Sequence, residues 1–521
     1  MSYKLTYSTM FDPPPEMHSR FETALQDVRA QIGKRHALYV GGSDVAAGTY
    51  RDKHSPINRD WILGSFAQAT SADVDRAMQA AKEAFPAWRA TSVQERTRLL
   101  RRVADLIEER VYHIGAALAL EVGKNRMEAL GEVQETADFF SVYCDDFERQ
   151  RFEHALPDDP LPNAVSHNRS VMKPYGVWAV ITPFNFPFAL AGGPVAAALV
   201  TGNTVVLKGA SDTPWSGRLL ADCLRDAGIP AGVFNYLSGP STSIGDALIR
   251  HPLLAGVTFT GSYDVGMRIA RQMISAPYPR PCIAEMGGKN ACIVTASADL
   301  ERAAAGIVRS AYGMGGQKCS ALSRLYVESS VMHELIQRLQ VKIKAISIGD
   351  PTRAEHWLGP VVNESAYRKY TGFIEQLRGR GAKILAGGAV LTEGDYARGY
   401  YVAPTLAAAA ADDPLWREEM FLPILMVQSV RDLNEGLAFA NDSDLGLTAG
   451  FYGSELEAPQ FFDSIEAGVT YANRPQGATT GAWPGYQPFG GWKGSGNTGK
   501  AIASFYYLAQ YMREQSQTQV E

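Results

Sequence analysis

Hydrophobic positions along the chain fall into two textures. In the first part they recur at helical spacing: Leu99, Leu100, Val103, Leu106 and Ile107 form one apolar stripe. Ser92-Val93-Gln94-Glu95 precedes it as a capping-box signature, with Ser92 accepting from a first-turn amide and Glu95 reaching back. From Gly176 onward short β-rich runs alternate with helical ones. VVLK is followed by a helix around Gly217–Ala227, then GVFNYLS, a helix, GVTFT, and a helix from about Ser262. A second series follows: NACIVT, a helix from Asp299, SRLYVE, and a helix from Val331. This alternation predicts parallel sheets covered on both faces, hence two α/β domains joined near Gly287-Gly288.

One stretch imitates a membrane span, because no charged residue stands between Lys173 and Lys208. Pro183, Pro187, Pro194, Gly192-Gly193, Asn185 and Asn203 interrupt it, and a lipid-exposed helix so broken leaves backbone groups unpaired. The pattern instead predicts strand (GVWAVIT), turn (PFNFP), helix and strand (NTVVLK) in a globular core. The Pro-rich segment His154–His167 reads as an arm or exposed hairpin, and Ser504–Val520 as a short apolar strand fading into a polar tail.

The chain's 521 residues point to about three structural units. A balance of 50 Lys+Arg against 55 Asp+Glu advertises neither nucleic acid nor an anionic membrane. Five cysteines in such a length are no disulfide framework, and MSYKLTYSTMFDPPPEM lacks a secretory apolar region. A cytoplasmic enzyme is expected.

Several motif matches fail on context. Gly494–Gly499 spells GxGxxG, but no buried strand feeds it and Ala501 stands where a phosphate loop needs Ser or Thr, so an ordinary Gly-rich turn is expected. HELIQ at His333–Gln337 lacks the second histidine of a zinc-protease helix and reads as a solvated face. No GxSxG elbow occurs, and no metal site is expected.

Three residues carry chemistry more plausibly. Cys319 sits in GGQKCSALSR, where Gly315-Gly316 allows close backbone approach and Lys318 adds positive charge. A nucleophilic cysteine needs access and a lowered thiol pKa, although a lone cysteine is more often a small buried hydrophobe. Glu285 in CIAEMGGKN is an acid in an apolar strand, either a structural partner or a base. Asn185 in ITPFNFPF either bonds a turn or presents its amide to an oxyanion. In FTGSYDVG (Phe259–Gly266) a strand runs through Gly-Ser into a helix start, which suits a pyrophosphate or a plain turn.

Taken in order, VVLK, FTGSYDVG, EMGGKN, GQKCS, EEMFLP and QPFGG resemble the aldehyde dehydrogenase superfamily across nearly the whole chain. The GQKCSALSR, TGAWPGYQPFGG and EVGKN…EVQETADFF segments resemble its branch acting on L-glutamate γ-semialdehyde. The resemblance implies Cys319 as nucleophile, Glu285 as base, and Asn185 with the Cys319 amide as oxyanion site. It implies NAD as cofactor, with Lys208 on the adenosine ribose, Glu419 on the nicotinamide ribose and Phe421 nearby. Ile181, Ser211, Gly261, Ser262, Val265 and Gly287 complete the cofactor site. It further implies a cofactor domain (1–152 and 173–286), a catalytic domain (287–475) and an oligomerisation arm (153–172 and 492–521) building a homodimer or homohexamer.

On the substrate side, the α-carboxylate would meet amides of Thr480-Gly481-Ala482 and the Ser320 hydroxyl, with Phe186 and Phe489 flanking the aliphatic chain. Trp483 and Pro484 of this loop could reshape the pocket for a bulkier aldehyde. The sequence departs from the family pattern at Gly209 (usually Pro), Ser211 (often an acid) and Leu422 (usually Gly). Ser211 cannot repel a 2′-phosphate, so NADP is expected to be accepted beside NAD, and Leu422 is expected to alter the cofactor pocket. Other aliphatic or aromatic aldehydes, or a retired structural role, remain the alternatives. At this length no fused proline-oxidising barrel is expected.

Overall fold

A computed structural model describes residues 4–150, 152–275, 277–475 and 482–521. The alternating runs form two seven-stranded sheets, each largely parallel and flanked by helices. In the first, the strands lie side by side in the order Cys282–Glu285, Leu254–Thr260, Val177–Ile181, Thr204–Lys208 and Phe234–Leu237. An antiparallel pair, Leu38–Val40 and Ser43–Val45, closes its edge. In the second, Thr405–Ala408, Ile424–Val430, Leu322–Glu328, Asn290–Val294, Thr448–Tyr452 and Val469–Ala472 run parallel, with Lys383–Ala386 antiparallel at one edge. Gly287 and Gly288 join the last strand of one sheet to a central strand of the other.

The uncharged stretch folds as strand Val177–Ile181, helix Ala189–Val200 and strand Thr204–Lys208, nearly all buried. No helix among the described residues is long and apolar enough to cross a membrane. The predicted stripe Leu99–Ile107 lies buried on helix Val93–Glu109. Only half of its capping box forms. Ser92 Oγ accepts from the Glu95 amide at 3.2 Å, but the Glu95 carboxylate turns to Arg98 at 2.7 and 2.8 Å. A guanidinium fork one turn on outcompetes a single backbone amide.

Segment 153–174 makes an antiparallel hairpin of Glu153–Leu156 and Ser166–Pro174, with Met512–Val520 on its other side. The expected order of the tail is reversed: the apolar part is not the strand. Tyr507, Leu508 and Tyr511 are buried around a 3-10 turn, whereas the strand is the polar MREQSQTQV, which pairs through its backbone with 166–174 and needs no apolar face. Gly494–Gly499 is also more than a turn. Ser495 is fully buried; its Oγ donates to the Gly287 carbonyl at 2.7 Å and accepts from the Gly446 amide at 3.0 Å. Asn497 donates to Cys282 O at 2.9 Å and accepts from the Ala284 amide at 2.8 Å. The segment straps strand Cys282–Glu285 from behind. His333 and Glu334 are exposed, as a solvated helix face requires.

Candidate active site

A cleft of about 1190 Å³ runs across the carboxyl ends of the first sheet and reaches the second. This is where open parallel sheets take ligands, because strand ends and helix starts leave unpaired backbone groups there. Ile181, Lys208 and Thr260 each end a strand on its wall, and Asn185, Ser211, Gly261, Ser262, Val265, Gly287, Cys319, Glu419 and Phe421 line it too.

At one end Lys208 is 1% exposed and donates to Ser241 Oγ at 2.6 Å. Burial pulls its ammonium down to about 8, with the Asp212 charge opposing. Ser211 Oγ donates to the Gly239 carbonyl at 3.0 Å. Asp212, which the sequence reading passed over, lines the same cleft, so a carboxylate does stand beside Lys208, one residue beyond the expected position. Gly209 has a local reason: its amide donates to Leu237 O at 3.3 Å, a bond proline cannot make. Ser262 begins helix Tyr263–Ile274 and makes no side-chain cap, leaving first-turn amides at the cleft.

Further along, Glu419 Oε1 accepts from the Gly288 amide at 2.9 Å. Burial lifts its carboxyl to about 7, opposed by that bond and by Lys289. Gly287 must be glycine, since a Cβ there would lie 2.0 Å from Glu419 Oε2. Phe421 adopts a positive φ of 56° and meets Phe184 edge-on at 5.8 Å. Leu422 does not alter the cleft: it is 5% exposed and packs into the core under the second sheet.

Cys319 is half-buried between the two sheets. Its thiol is pushed up to about 12, first by burial and then by Glu419 and Glu285, with the Ser320 and Cys319 amides opposing. The lowered pKa expected from Lys318 is absent. Lys318 Nζ turns away to buried Glu128 at 2.9 Å. The Cys319 carbonyl is pinned instead by Asn290 Nδ2 at 2.7 Å, a residue whose EMGGKN context alone signalled it. Glu285 ends its strand with Oε2 buried and unpartnered, and burial lifts its carboxyl to about 8 against the Gly491 amide. Asn185 is 2% exposed and its buried Oδ1 has no protein partner.

The substrate-side candidates lie off this cleft. Phe186 is half-buried beneath Lys124 Nζ, 3.7 Å from its ring centre; Ser320 is buried; Phe489 is half-buried and pairs with Ile502 at 2.7 and 3.0 Å. Ala482 is half-buried, while Thr480 and Gly481 lie outside the described residues. Trp483 is locked by its Nε1 donating to Asp138 at 2.6 Å. Among the described residues no group of three or more His, Cys, Asp or Glu is placed to hold a metal ion.

Cys319 and Asn185 thus line one cleft, and the charge of Glu285 is felt at the Cys319 thiol. The family model for the aldehyde dehydrogenase family matches residues 45–516, and the chain belongs to that family. Among curated relatives, the 1-pyrroline-5-carboxylate dehydrogenase of Geobacillus thermodenitrificans is 38% identical over 500 residues, 94% of each chain. Among solved structures, 1-pyrroline-5-carboxylate dehydrogenase from Thermus with bound NAD superposes with a TM-score of 0.93 at 34% identity, covering 100% of this chain and 99% of that one. Proline utilization A from Bdellovibrio bacteriovorus matches with a TM-score of 0.90 at 33% identity, covering 96% of this chain and 51% of that one, so the chain spans about half its length.

Proposed function

We propose that the protein oxidises L-glutamate γ-semialdehyde, the open form of 1-pyrroline-5-carboxylate, to L-glutamate with NAD, as a step of proline catabolism. The observation that carries the reading is the convergence of Lys208, Glu419, Asn185 and Cys319 on one cleft. NAD suits that cleft of about 1190 Å³: Lys208 and Glu419 line it with groups that can bond ribose hydroxyls, and the missing Cβ of Gly287 leaves room beside Glu419. The names of the relatives point the same way.

Cys319 adds as thiolate to the aldehyde carbon. The Asn185 side-chain amide and the Cys319 backbone amide stabilise the oxyanion, each such donor contributing about 3–4 kcal/mol. Bound NAD would supply the hydride acceptor, so that the resulting thiohemiacetal on Cys319 would become a thioester. Glu285, at the end of its strand and lifted toward neutrality by burial, takes a proton from water as it attacks that thioester. Lys208, Glu419 and Phe421 hold and orient the cofactor; Ser320, Ala482, Phe186 and Phe489, with Gly481 beyond the described residues, hold the substrate. NADP is accepted as well, through the neutral Ser211.

The three-stranded sheet of 153–174 and 512–520 serves as the arm of a homodimer or homohexamer, and the protein works in the cytoplasm. The test is a comparison of specificity constants for glutamate semialdehyde against propanal and hexanal. The expected result is a clear preference for the semialdehyde that Ser320→Ala weakens. An equal or higher constant for the uncharged aldehydes, with the ratio unmoved by Ser320→Ala, would overturn the substrate assignment.

A further inference from the structure

Helix Arg126–Gln150 turns Glu128 and Glu132 to one face, four residues apart, and both are buried. Two carboxylates so placed repel unless each has its own cation. Each has one. Lys124, fully buried, pairs with Glu132, and Lys318 pairs with Glu128 at 2.9 Å. Asn125 Nδ2 donates to the second oxygen of Glu128 at 3.0 Å. Gly313 makes room, since a Cβ there would lie 3.2 Å from Lys318 Nζ and 3.3 Å from Glu128 Oε1. Burial pulls the Lys124 ammonium down, and Glu132 and Glu128 oppose it. The next acid on this face, Glu135, lies outside the quartet: it accepts from the Tyr7 hydroxyl at 2.6 Å, and that ring meets Trp483 edge-on at 5.1 Å.

The quartet touches both halves of the candidate site. Lys318 directly precedes Cys319, and Phe186 directly follows Asn185. Lys124 Nζ sits 3.7 Å, and Lys318 Nζ 5.9 Å, from the centre of the Phe186 ring. Both lie within the range over which an aromatic face attracts a cation, and the attraction grows where water is excluded. Glu132 grips the same segment by its backbone. It accepts the amides of Phe188 and Ala189 at 2.8 and 3.1 Å, at the start of helix Ala189–Val200, which has no side-chain cap of its own. Asn185 Oδ1 has no protein partner to anchor it, so the flanking segment sets where that amide stands in the cleft it shares with Cys319. Lys124 therefore reaches the Asn185 segment twice, by its own charge on the ring and through Glu132 on the backbone.

We propose that Lys124 is a positioning residue for the oxyanion step: through the Phe186 ring and the Glu132 carboxylate it holds the Asn185 amide in register with the Cys319 sulfur. This rests on the roles given to Asn185 and Cys319 under Proposed function. A buried ion pair is weak evidence for stability, since apolar residues of like size often serve as well. A cation that only filled the core would support folding and leave the chemistry of the folded molecule alone. A positioning cation acts on the rate constant, and only while Asn185 is there to be positioned.

The experiment is a double-mutant cycle between Lys124→Met and Asn185→Ala. It is read as the single-turnover rate constant for reduced cofactor formed from glutamate semialdehyde at saturating NAD, with melting temperatures measured beside it. Lys124→Met should lower that rate constant about tenfold and leave the Kd for NAD within about twofold. In an Asn185→Ala background the same substitution should change the rate constant by less than about twofold. Lys124→Arg, which keeps a cation on the ring, should recover most of the loss. If Lys124→Met does not fold, Lys124→Met with Glu132→Gln, whose amide oxygen still accepts from Phe188 and Ala189, carries the same expectation. An equal loss with and without Asn185, or a wild-type rate constant in a folded Lys124→Met protein, overturns the positioning role. Asn185→Ala alone at the wild-type rate would overturn the oxyanion reading and this proposal with it, a result told apart because it appears in the single variant.

Discussion

Lys318 and Glu128 form a buried ion pair at 2.9 Å, with 5% and 3% of their side chains exposed, so the cation next to Cys319 in sequence is spent on Glu128. Removing one partner of such a pair strands the other charge, at a cost of about 3–5 kcal/mol. Lys318→Met should lower the melting temperature sharply. Lys318→Met combined with Glu128→Leu should recover most of that loss, because two apolar groups need no mutual compensation. Scanning calorimetry of the two variants decides between a pair kept for position and one kept for stability.

Cys319 should be the only cysteine whose loss stops oxidation. Burial is the largest cause pushing the thiols of Cys144, Cys223 and Cys282 up to about 12 and that of Cys292 higher still, and none of the four lines the cleft. Cys319→Ala should abolish turnover while NAD still binds by fluorescence titration. Each of the other four, changed to Ala, should keep activity within about twofold.

Glu285→Gln should separate the two halves of the reaction. The amide cannot take a proton from water, so a single burst of reduced cofactor should be followed by very slow turnover on a trapped thioester. Stopped-flow absorbance and intact-protein mass would reveal both. Loss of the burst itself would assign Glu285 a part in forming the thiolate.

The burst rate should climb with pH between 7 and 9. The Cys319 thiol is pushed up to about 12, so its reactive anion grows about tenfold per pH unit in this window. Glu285, lifted to about 8, gains its basic form over the same interval, which adds to the steady-state rate. A plateau already reached below pH 7 would contradict a thiol kept protonated by burial.

Cofactor choice should also depend on pH. Lys208 is pulled down to about 8, so its charge is present below that value and lost above it. The ratio of specificity constants for NADP over NAD should therefore fall from pH 7 to 9. Ser211→Glu should depress the ratio at every pH, and Asp212→Asn should raise it, since that carboxylate faces the same cleft. An NADP rate below detection in the wild type would remove Ser211 as the discriminator.

The strands, and the residues at their ends that line the cleft, were legible because their signals are local. Apolar runs such as GVWAVIT announce buried strands, and Lys208 is placed in the cleft by the end of such a run. What the sequence concealed depends on partners far apart along it. Nothing near Lys318 announces that Glu128 will claim its charge, and nothing near Tyr7 announces Glu135 or Trp483. The polar tail strand was illegible for a different reason: backbone pairing with residues 166–174 leaves no apolar periodicity. Leu422 misled because its effect was inferred from residue type, whereas its side chain is buried in the core under the second sheet.

The Ser495–Asn497 strap gives the chain end a mechanical meaning. The backbone that clasps Cys282–Glu285 continues through the buried tyrosines Tyr507 and Tyr511 into the outer strand Met512–Val520. Tension or fraying that begins at the tail is thus transmitted to Glu285, the carboxylate proposed to activate water. On gradual heating, hydrolysis of the thioester should fail before the helices melt, so the molecule ages first into a one-shot aldehyde scavenger and only later into an unfolded chain.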